Sequence, residues 1–118
     1  MYRKRIKYKG TNFNINVFSY ENGRIGIKLI NNNDSYDISI NLPDYYLEKD
    51  SIFLNPDVKA NTTLYKLLRK CKVIKDVTSI IICDYNPIPI TKVNLKKLED
   101  YDYDGVMKYI NVRDGIHE

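Results

Sequence analysis

Three aspartates near the C-terminal end of the chain have the spacing of a cation-binding loop. Asp100, Asp102 and Asp104 precede Gly105, which gives the pattern D-x-D-x-D-G. Carboxylates at alternate positions can converge on a hard cation such as Ca²⁺, and the glycine permits the turn. The twelfth position of such a loop needs a bidentate glutamate, but here it is Asn111. The three aspartates are therefore only a weak candidate for calcium, and the pattern favours Asp104 as the cap of a final helix.

Residues that could support nucleophilic catalysis are sparse. The single histidine, His117, lies in the C-terminal tail, whereas Ser-His and Cys-His catalysis need a base held rigidly beside the nucleophile. The chain has no Walker loop and no G-x-G-x-x-G turn. Cys71 and Cys83 lack metal-ligand spacing, and we interpret them as reduced core thiols, with a structural disulfide as the less favoured alternative. We predict a protein that is not an enzyme and that needs no cofactor.

A basic surface near the N-terminus is the most function-like feature of the sequence. Cations neutralise phosphates, and exposed aromatic rings stack on unpaired bases. The simpler alternative is edge protection, because natural proteins place Lys and Arg on edge strands to prevent aggregation. Both interpretations stay open. The predicted binding face consists of Arg3, Arg5, Lys7, Lys9, Phe18, Tyr20, Arg24 and Lys28.

Two smaller groups are secondary binding candidates. Lys66, Arg69 and Lys70 lie on the outer face of a predicted helix, where cations in the last turn also suit the helix dipole. Tyr45 and Tyr46 follow the first proline of the chain. They either fold back over an edge of the core or are displayed for a binding partner.

The elements that position these residues begin with three runs in which apolar and polar residues alternate. Such alternation predicts antiparallel strands with one buried face. A three-residue loop ending in Gly23 keeps the faces aligned, because it pairs Val17 with Ile27. The same register lays Phe18 over Gly26, where a ring can cover bare backbone.

The flanking turns extend this meander in both directions. An Asn32-Asn33 loop sets Lys28 opposite Asp37, a pair of opposite charges on the exposed face. A Gly10-Thr11 loop joins a first strand at residues 2–9 and pairs Tyr8 with Phe13. We expect the third strand of the alternating region to continue to Leu42, since the following proline has no amide to donate.

The remaining segments complete an α+β fold. We predict an antiparallel sheet, made of a four-strand N-terminal meander and a C-terminal hairpin, with two or three helices on one face. The run DVTSIIIC is typical of a buried strand, and Pro87 and Pro89 place the returning strand at an edge. The predicted single domain, 1–118, consists of a meander at 1–42, an irregular acidic segment at 43–60, a helix at 61–72, a hairpin at 76–93 and short helices at 94–112.

Composition and charge exclude several classes of protein. The 118 residues are 43% hydrophobic and 29% charged, which is typical of a globular chain. No apolar run reaches the ~20 residues of a membrane span, and no apolar segment follows the basic N-terminus as in a secretory signal. The net charge of +4 divides into a basic body and an acidic C-terminal part. Lys, Asn, Ile and Tyr, which AT-rich codons encode, make up 54 residues and indicate a low-GC bacterium or its mobile elements.

Three stretches, DISINLPDYYL, FLNPD and ITKVNLKKLEDYD, resemble a family of small uncharacterised proteins. Phages, plasmids and conjugative elements of Gram-positive bacteria encode the members of this family. The resemblance covers roughly residues 35–104 and carries no known active site. It implies a mobile-element context, in which small non-enzymatic proteins often bind and block host defence machinery.

Two functions are therefore expected. The first is inhibition of a host defence system, in the manner of an anti-CRISPR protein, by binding a host protein or a nucleoprotein complex. The alternative is direct binding of RNA or DNA through the basic face of the N-terminal sheet. We expect a location in the cytoplasm of a bacterial host and no contact with a membrane. The oligomeric state stays open.

Overall fold

In the part of the chain that the structure describes, the fold consists of two antiparallel sheets and three helices. A computed structural model describes residues 3–115, so the predictions for Tyr2 and His117 lie outside the described residues. The strand orders are β1-β2-β3-β4 and β5-β6-β8-β7, which confirms the α+β class and the N-terminal meander but assigns the hairpin to a second sheet. In chain order the elements are β1 (Ile6–Tyr8), β2 (Thr11–Ser19), β3 (Ile25–Ile30), β4 (Ser35–Asp37), β5 (Ser39–Ile40), β6 (Ser51–Leu54), α1 (Pro56–Ala60), α2 (Thr62–Lys70), β7 (Ile74–Cys83), β8 (Asn86–Val93) and α3 (Leu95–Arg113).

The register between β2 and β3 is the predicted one. Val17 pairs with Ile27, and Gly23 has the positive φ, +84°, that the three-residue loop requires. Phe18 pairs with Gly26, and its ring lies directly over the space that a Cβ at this position would occupy. The apolar residues of both strands consequently share the buried face.

The first hairpin is shorter than predicted. Its loop is Lys9-Gly10 rather than Gly10-Thr11, so that Phe13 pairs with Ile6 and not with Tyr8. Both loop residues have positive φ, 53° and 75°, as in the two-residue turns whose twist matches that of the flanking strands. The register differs by two residues from the predicted one. Such a shift returns every side chain to the same face, so Ile6 and Tyr8 remain buried and Lys7 remains exposed.

The predicted third strand of the alternating region does not continue to Leu42. It divides at Ile38, whose amide donates to the carbonyl oxygen of Ile27 at 3.0 Å. The amide of Ile27 donates in turn to the buried hydroxyl of Ser39 at 2.9 Å. A side chain thus takes the place of a backbone acceptor, and the chain leaves the first sheet. From Ser39 onward it pairs with β6 in the second sheet.

The segment at 43–60 is only partly irregular, so this prediction was wrong. Ile52, Phe53 and Leu54 form the buried core of β6, which lies between β5 and β8. Asn55 then caps the short helix α1 by accepting from the amide of Asp57 at 3.0 Å. An apolar run of this length does not distinguish strand from helix or loop by its period, which is why the sequence pattern missed an interior strand.

The C-terminal hairpin reverses the predicted positions of its two strands. β7, predicted to be buried, is an edge strand, whereas β8 lies between β6 and β7. Its two-residue loop, Asp84-Tyr85, has positive φ at both positions and is tighter than expected. The prolines are tolerated because β6 pairs with β8 only at residues 90–92. The part of β8 that carries Pro87 and Pro89 therefore pairs with β7 alone.

The two larger helices begin at predicted caps. Asn61 accepts from the amide of Leu64 at 3.0 Å, and Asn94 accepts from the amide of Lys97 at 3.2 Å. α3 contains a break at Asp102, where φ is −156° and ψ is 75°. The two short helices expected at 94–112 are the two halves of this broken helix. Buried apolar residues of both sheets and all three helices form one cluster, and Cys71 and Cys83 are free thiols.

Candidate binding groove and basic strand

The break in α3 lies against the open edge of β2. β1 pairs with β2 only as far as Phe13, so that the following residues of β2 lack a strand on that side. The Arg3 guanidinium donates to the carbonyl oxygen of Ile15 at 2.8 Å, and the Asp102 carboxylate accepts from the amide of Val17 at 2.8 Å. Side chains from two distant segments thereby replace the missing strand.

Asp102 also begins the second half of α3. Its Oδ1 accepts from the amide of Gly105 at 3.1 Å, which is the capping contact that we predicted for Asp104. The break in α3 lies at Asp102 and Asp104 is within the helical part that follows, so that prediction was wrong. A Cβ on Gly105 would collide with the carbonyl oxygen of Val17 and with the Asp102 carboxylate. The glycine is therefore required for this close approach and does not form a cation-binding turn.

The candidate calcium ligands are not brought together. The Asp102 carboxylate is 14% exposed and lies 3.9 Å from the Arg3 guanidinium. Its other contacts are the two backbone amides just described. Within residues 3–115, no three carboxylate, thiol or imidazole groups are placed to hold a metal ion. Asp102 therefore binds backbone amides, whereas Asp100 and Asp104 lie on the surface of α3.

A groove of about 580 Å³ lies between the outer face of the first sheet and the second half of α3. Lys28 forms part of its wall. The Lys28 ammonium lies 3.9 Å from the carboxylate of Asp37, its predicted partner, and 5.7 Å from the centroid of the Phe18 ring. Cationic, anionic and apolar groups all contribute to the groove. It is lined by Arg3, Asn16, Val17, Phe18, Ser19, Lys28, Asp102, Asp104, Gly105, Lys108 and Val112.

Three cations of the predicted basic face are exposed on the first hairpin. Arg5 directly precedes β1, Lys7 lies within it, and Lys9 begins the loop that follows. Among residues 3–115, no carboxylate lies within 4.0 Å of these three side chains. The Lys9 ammonium lies 5.4 Å from the centroid of the Tyr8 ring. This strand is the part of the predicted face that retains uncompensated positive charge.

The other predicted cations have internal contacts. Arg3 donates to the carbonyl oxygen of Tyr101 at 2.6 Å as well as to β2. Arg24 donates to the carbonyl oxygens of Leu42 and Tyr45, and its guanidinium lies 5.6 Å from the centroid of the Phe53 ring. These guanidinium groups satisfy backbone acceptors inside the fold. Their first role is therefore to fix two chain segments in place.

The two predicted stacking residues are only partly accessible. Phe18 and Tyr20 contact each other edge to face, with ring centroids 5.0 Å apart. One face of the Phe18 ring covers Gly26, and the Tyr20 hydroxyl is hydrogen-bonded to Ser39 at 2.8 Å. Burial raises the pKa of Tyr20. The pair forms an apolar wall beside Lys28 more readily than a platform for flat stacking.

The secondary candidates are divided between free and engaged side chains. Lys66 and Lys70 are exposed on α2, whereas Arg69 pairs with Asp76 at the start of the hairpin. Tyr46 is 82% exposed. Tyr45 is 37% exposed, and its hydroxyl lies beside the Cys83 thiol, an interaction that raises the pKa of Tyr45. Only one of the two tyrosines is therefore fully displayed, and α2 keeps two solvated cations.

Sequence reasoning missed two groups that matter for this surface. Lys108 lines the groove, but no sequence pattern marks it, because its position depends on the break in α3. Asp50 accepts from the Tyr109 hydroxyl at 2.8 Å and binds the Arg113 guanidinium with both carboxylate oxygens at 2.9 Å. This cluster anchors the end of α3 to the second sheet. Burial is the main cause that raises the pKa of Tyr109 to about 12.

Comparisons with known proteins do not identify this chain. None of the helices in the described range combines the length and the apolar character of a membrane span. No protein-family model, no curated protein and no solved structure matches the chain.

Proposed function

We propose that this chain is a non-enzymatic binding protein from a mobile genetic element that inhibits a host defence system. It acts in the manner of an anti-CRISPR protein, by occupying a surface of a host protein or nucleoprotein complex in the cytoplasm. The groove between the first sheet and α3 is its contact site. The mobile-element context comes from the family resemblance of the sequence, and the groove supplies the physical basis for binding.

The mixed charge of the groove is the observation that carries this proposal. Lys28 and Lys108 face the same space as the carboxylates of Asp102 and Asp104. A protein surface presents both signs of charge and can match such a pattern group by group. A nucleic-acid backbone carries negative charge only, so the exposed Asp104 carboxylate repels it locally. The groove is therefore better suited to a protein segment than to a phosphate chain.

Apolar side chains in the groove provide the second requirement of a protein interface. Phe18 and Val112 line it together with the charged groups. Interfaces place aromatic and aliphatic anchors at the centre and charged residues at the rim, where they guide association. Phe18 is held in position by its contact with Gly26, so little side-chain entropy is lost when a partner covers it.

An interference assay tests this proposal. A bacterial strain whose CRISPR effector destroys an incoming plasmid is transformed with and without expression of this chain, and colonies are counted. We expect the chain to restore transformation and the double variant Lys28→Glu, Lys108→Glu to lose this effect. The matched control is Lys66→Glu, Lys70→Glu, which makes the same charge change on exposed positions of α2. Equal activity of both variants would exclude the groove, and no restoration in any effector class would exclude the inhibitor function.

Direct nucleic-acid binding is a second candidate, favoured by the positive charge on and beside β1. Arg5, Lys7 and Lys9 are exposed, and no described carboxylate lies within 4.0 Å of them. Three phosphate contacts would give a slope of log affinity against log salt of about −2 to −3. Fluorescence anisotropy with labelled RNA, single-stranded DNA and duplex DNA at two salt concentrations measures this slope. Arg5→Ser, Lys7→Ser, Lys9→Ser should abolish binding, and absence of binding at low salt would remove this candidate.

A further inference from the structure

The edge strand β7 differs from the other edge strands of the molecule. β1 and β4 are three residues long and β5 has two, whereas β7 has ten. In the described part of the chain, no strand pairs with the outer edge of β7. A long edge strand presents unpaired amides and carbonyls that can pair with another strand, and natural proteins usually block such edges.

The blocking features of β7 are confined to its first half. Register shifts occur between Ile74 and Val77 and again between Val77 and Ser79, which bend the strand away from regular pairing. The same half contains Lys75 and Asp76 as its charged residues. From Ser79 onward the strand is regular, and the sequence SIIIC contains neither a charge nor a proline.

The regular half of β7 displays apolar side chains. Ile80 is 59% exposed and Ile82 is 62% exposed. They pair with Pro89 and Pro87, which have no amide hydrogen, so these are the pairs that are not hydrogen-bonded to β8. The amides and carbonyls of Ile80 and Ile82 consequently point toward the open edge. Exposed isoleucines and an unpaired backbone thus coincide at the same residues.

We propose that this segment, Ser79–Cys83, pairs antiparallel with the same segment of a second copy, so that two molecules form one continuous sheet across a two-fold axis. This interface uses the second sheet and is independent of the proposed function. A symmetric interface must be complementary to itself, and a two-fold axis perpendicular to the sheet restricts the possible registers to those centred on one residue.

Charge selects among these registers. Centring on Ile80 brings Asp84 close to Asp76 of the second copy, and two carboxylates then repel each other. Centring on Ser79 brings Ile82 close to that same Asp76, which removes a charge from water against an apolar group. Centring on Ile81 pairs Ile80 with Ile82 of the second copy and brings Asp84 close to a threonine hydroxyl. Of these three registers, the one centred on Ile81 is the one without an electrostatic penalty.

Disulfide trapping tests the register. In the Ile81-centred pair, the two Ile81 Cα atoms are about 4.5 Å apart, within the roughly 4.4–6.8 Å that a disulfide spans. The two Ile80 Cα atoms are offset by two residues and lie about 8 Å or more apart, beyond that range. In a Cys71→Ser, Cys83→Ser background, Ile81→Cys should form a covalent dimer under mild oxidation, and the matched variant Ile80→Cys should not. Efficient bridging at Ile80→Cys would overturn the register.

Sedimentation measures the association itself. The unmodified chain at concentrations from about 5 to 500 µM should change from monomer to dimer, with a dissociation constant on the order of 10–100 µM for so small an interface. The variant Ile80→Lys, Ile82→Lys should remain monomeric over the same range, while its circular dichroism spectrum stays that of the unmodified chain. A monomer at every concentration, or a dimer that survives both lysines, would overturn the proposal.

Discussion

The two sheets differ in whether side chains cover the unpaired edge of their longest strand. Beyond Phe13, the edge of β2 is covered by Arg3, Asp102 and the close approach of Gly105. The edge of β7 beyond Ser79 is straight, apolar and open. The covered edge depends on hydrogen bonds within the molecule, whereas the open edge makes no backbone hydrogen bond to another strand in the described part of the chain. Changes at the first should therefore affect stability, and changes at the second should affect association.

The largest effect is expected where backbone meets backbone at the covered edge. Gly105→Ala should lower the free energy of unfolding by about 3 kcal/mol, because the added Cβ collides with the carbonyl oxygen of Val17 and forces α3 away from β2. Urea denaturation followed by circular dichroism measures this loss. Gly115→Ala is the control, since nothing lies within 4 Å of a Cβ there, although its positive φ gives a smaller cost. Equal losses would contradict the close packing.

Removal of the carboxylate should have the next largest effect. Asp102→Ala leaves the amides of Val17 and Gly105 without their acceptor and removes the carboxylate that lies 3.9 Å from the Arg3 guanidinium, so we expect a loss of about 2–4 kcal/mol. Arg3→Ala should cost less, about 1–2 kcal/mol, because this side chain is 43% exposed. In a double-mutant cycle, the variant with both substitutions should lose less stability than the sum of the two single losses. Strict additivity would indicate that the two residues cover the edge independently.

High pH should weaken the attachment of the C-terminal end of α3 to Asp50. Burial raises the pKa of Tyr109 to about 12, and its hydroxyl donates to Asp50. Because the folded-state pKa lies above the ordinary value of 10.0, the stabilisation is complete below pH 10 and is lost as the pH rises from 10 to 12. The loss should amount to at most about 2–3 kcal/mol. In Tyr109→Phe this part of the pH dependence should disappear, and its persistence would point to Tyr101, whose pKa is also raised to about 12.

The open edge should give the smallest effect on stability. Ile80→Lys, Ile82→Lys replaces two exposed side chains, and we expect the unfolding free energy in dilute solution to change by no more than about 0.5 kcal/mol. Thermal unfolding at two protein concentrations separates this from association, because only the unmodified chain should show a concentration-dependent midpoint. A large loss in dilute solution would mean that the two isoleucines belong to the core.

Local patterns predicted the first sheet well and the second sheet poorly. The pairing of Val17 with Ile27 followed from alternation and from the turn at Gly23, both of which are short-range. The division of the third strand depends on the Ser39 hydroxyl meeting Ile27, and the position of β8 depends on which strand lies beside it. These are contacts between distant segments, which no local period encodes.

The candidate site divides in the same way. Alternation correctly placed Lys7 on an exposed position and Lys28 on the half-buried outer face, away from the core. It also assigned Arg3 to a binding face, whereas its guanidinium contacts the carbonyl oxygen of Tyr101, 98 positions along the chain. A basic residue on an exposed face can bind a ligand or a backbone acceptor, and only the tertiary packing decides between them. The groove itself exists because α3 breaks at Asp102.

Hydrogen exchange of individual backbone amides tests the contrast between the two edges most directly. The amide of Val17 should be strongly protected at every protein concentration, because the Asp102 carboxylate accepts its hydrogen. The amides of Ile80 and Ile82 should exchange rapidly in dilute solution and become protected as the concentration rises and the second copy binds. Protection of Ile80 and Ile82 in dilute solution, or rapid exchange at Val17, would contradict the assignment of one covered edge and one open edge.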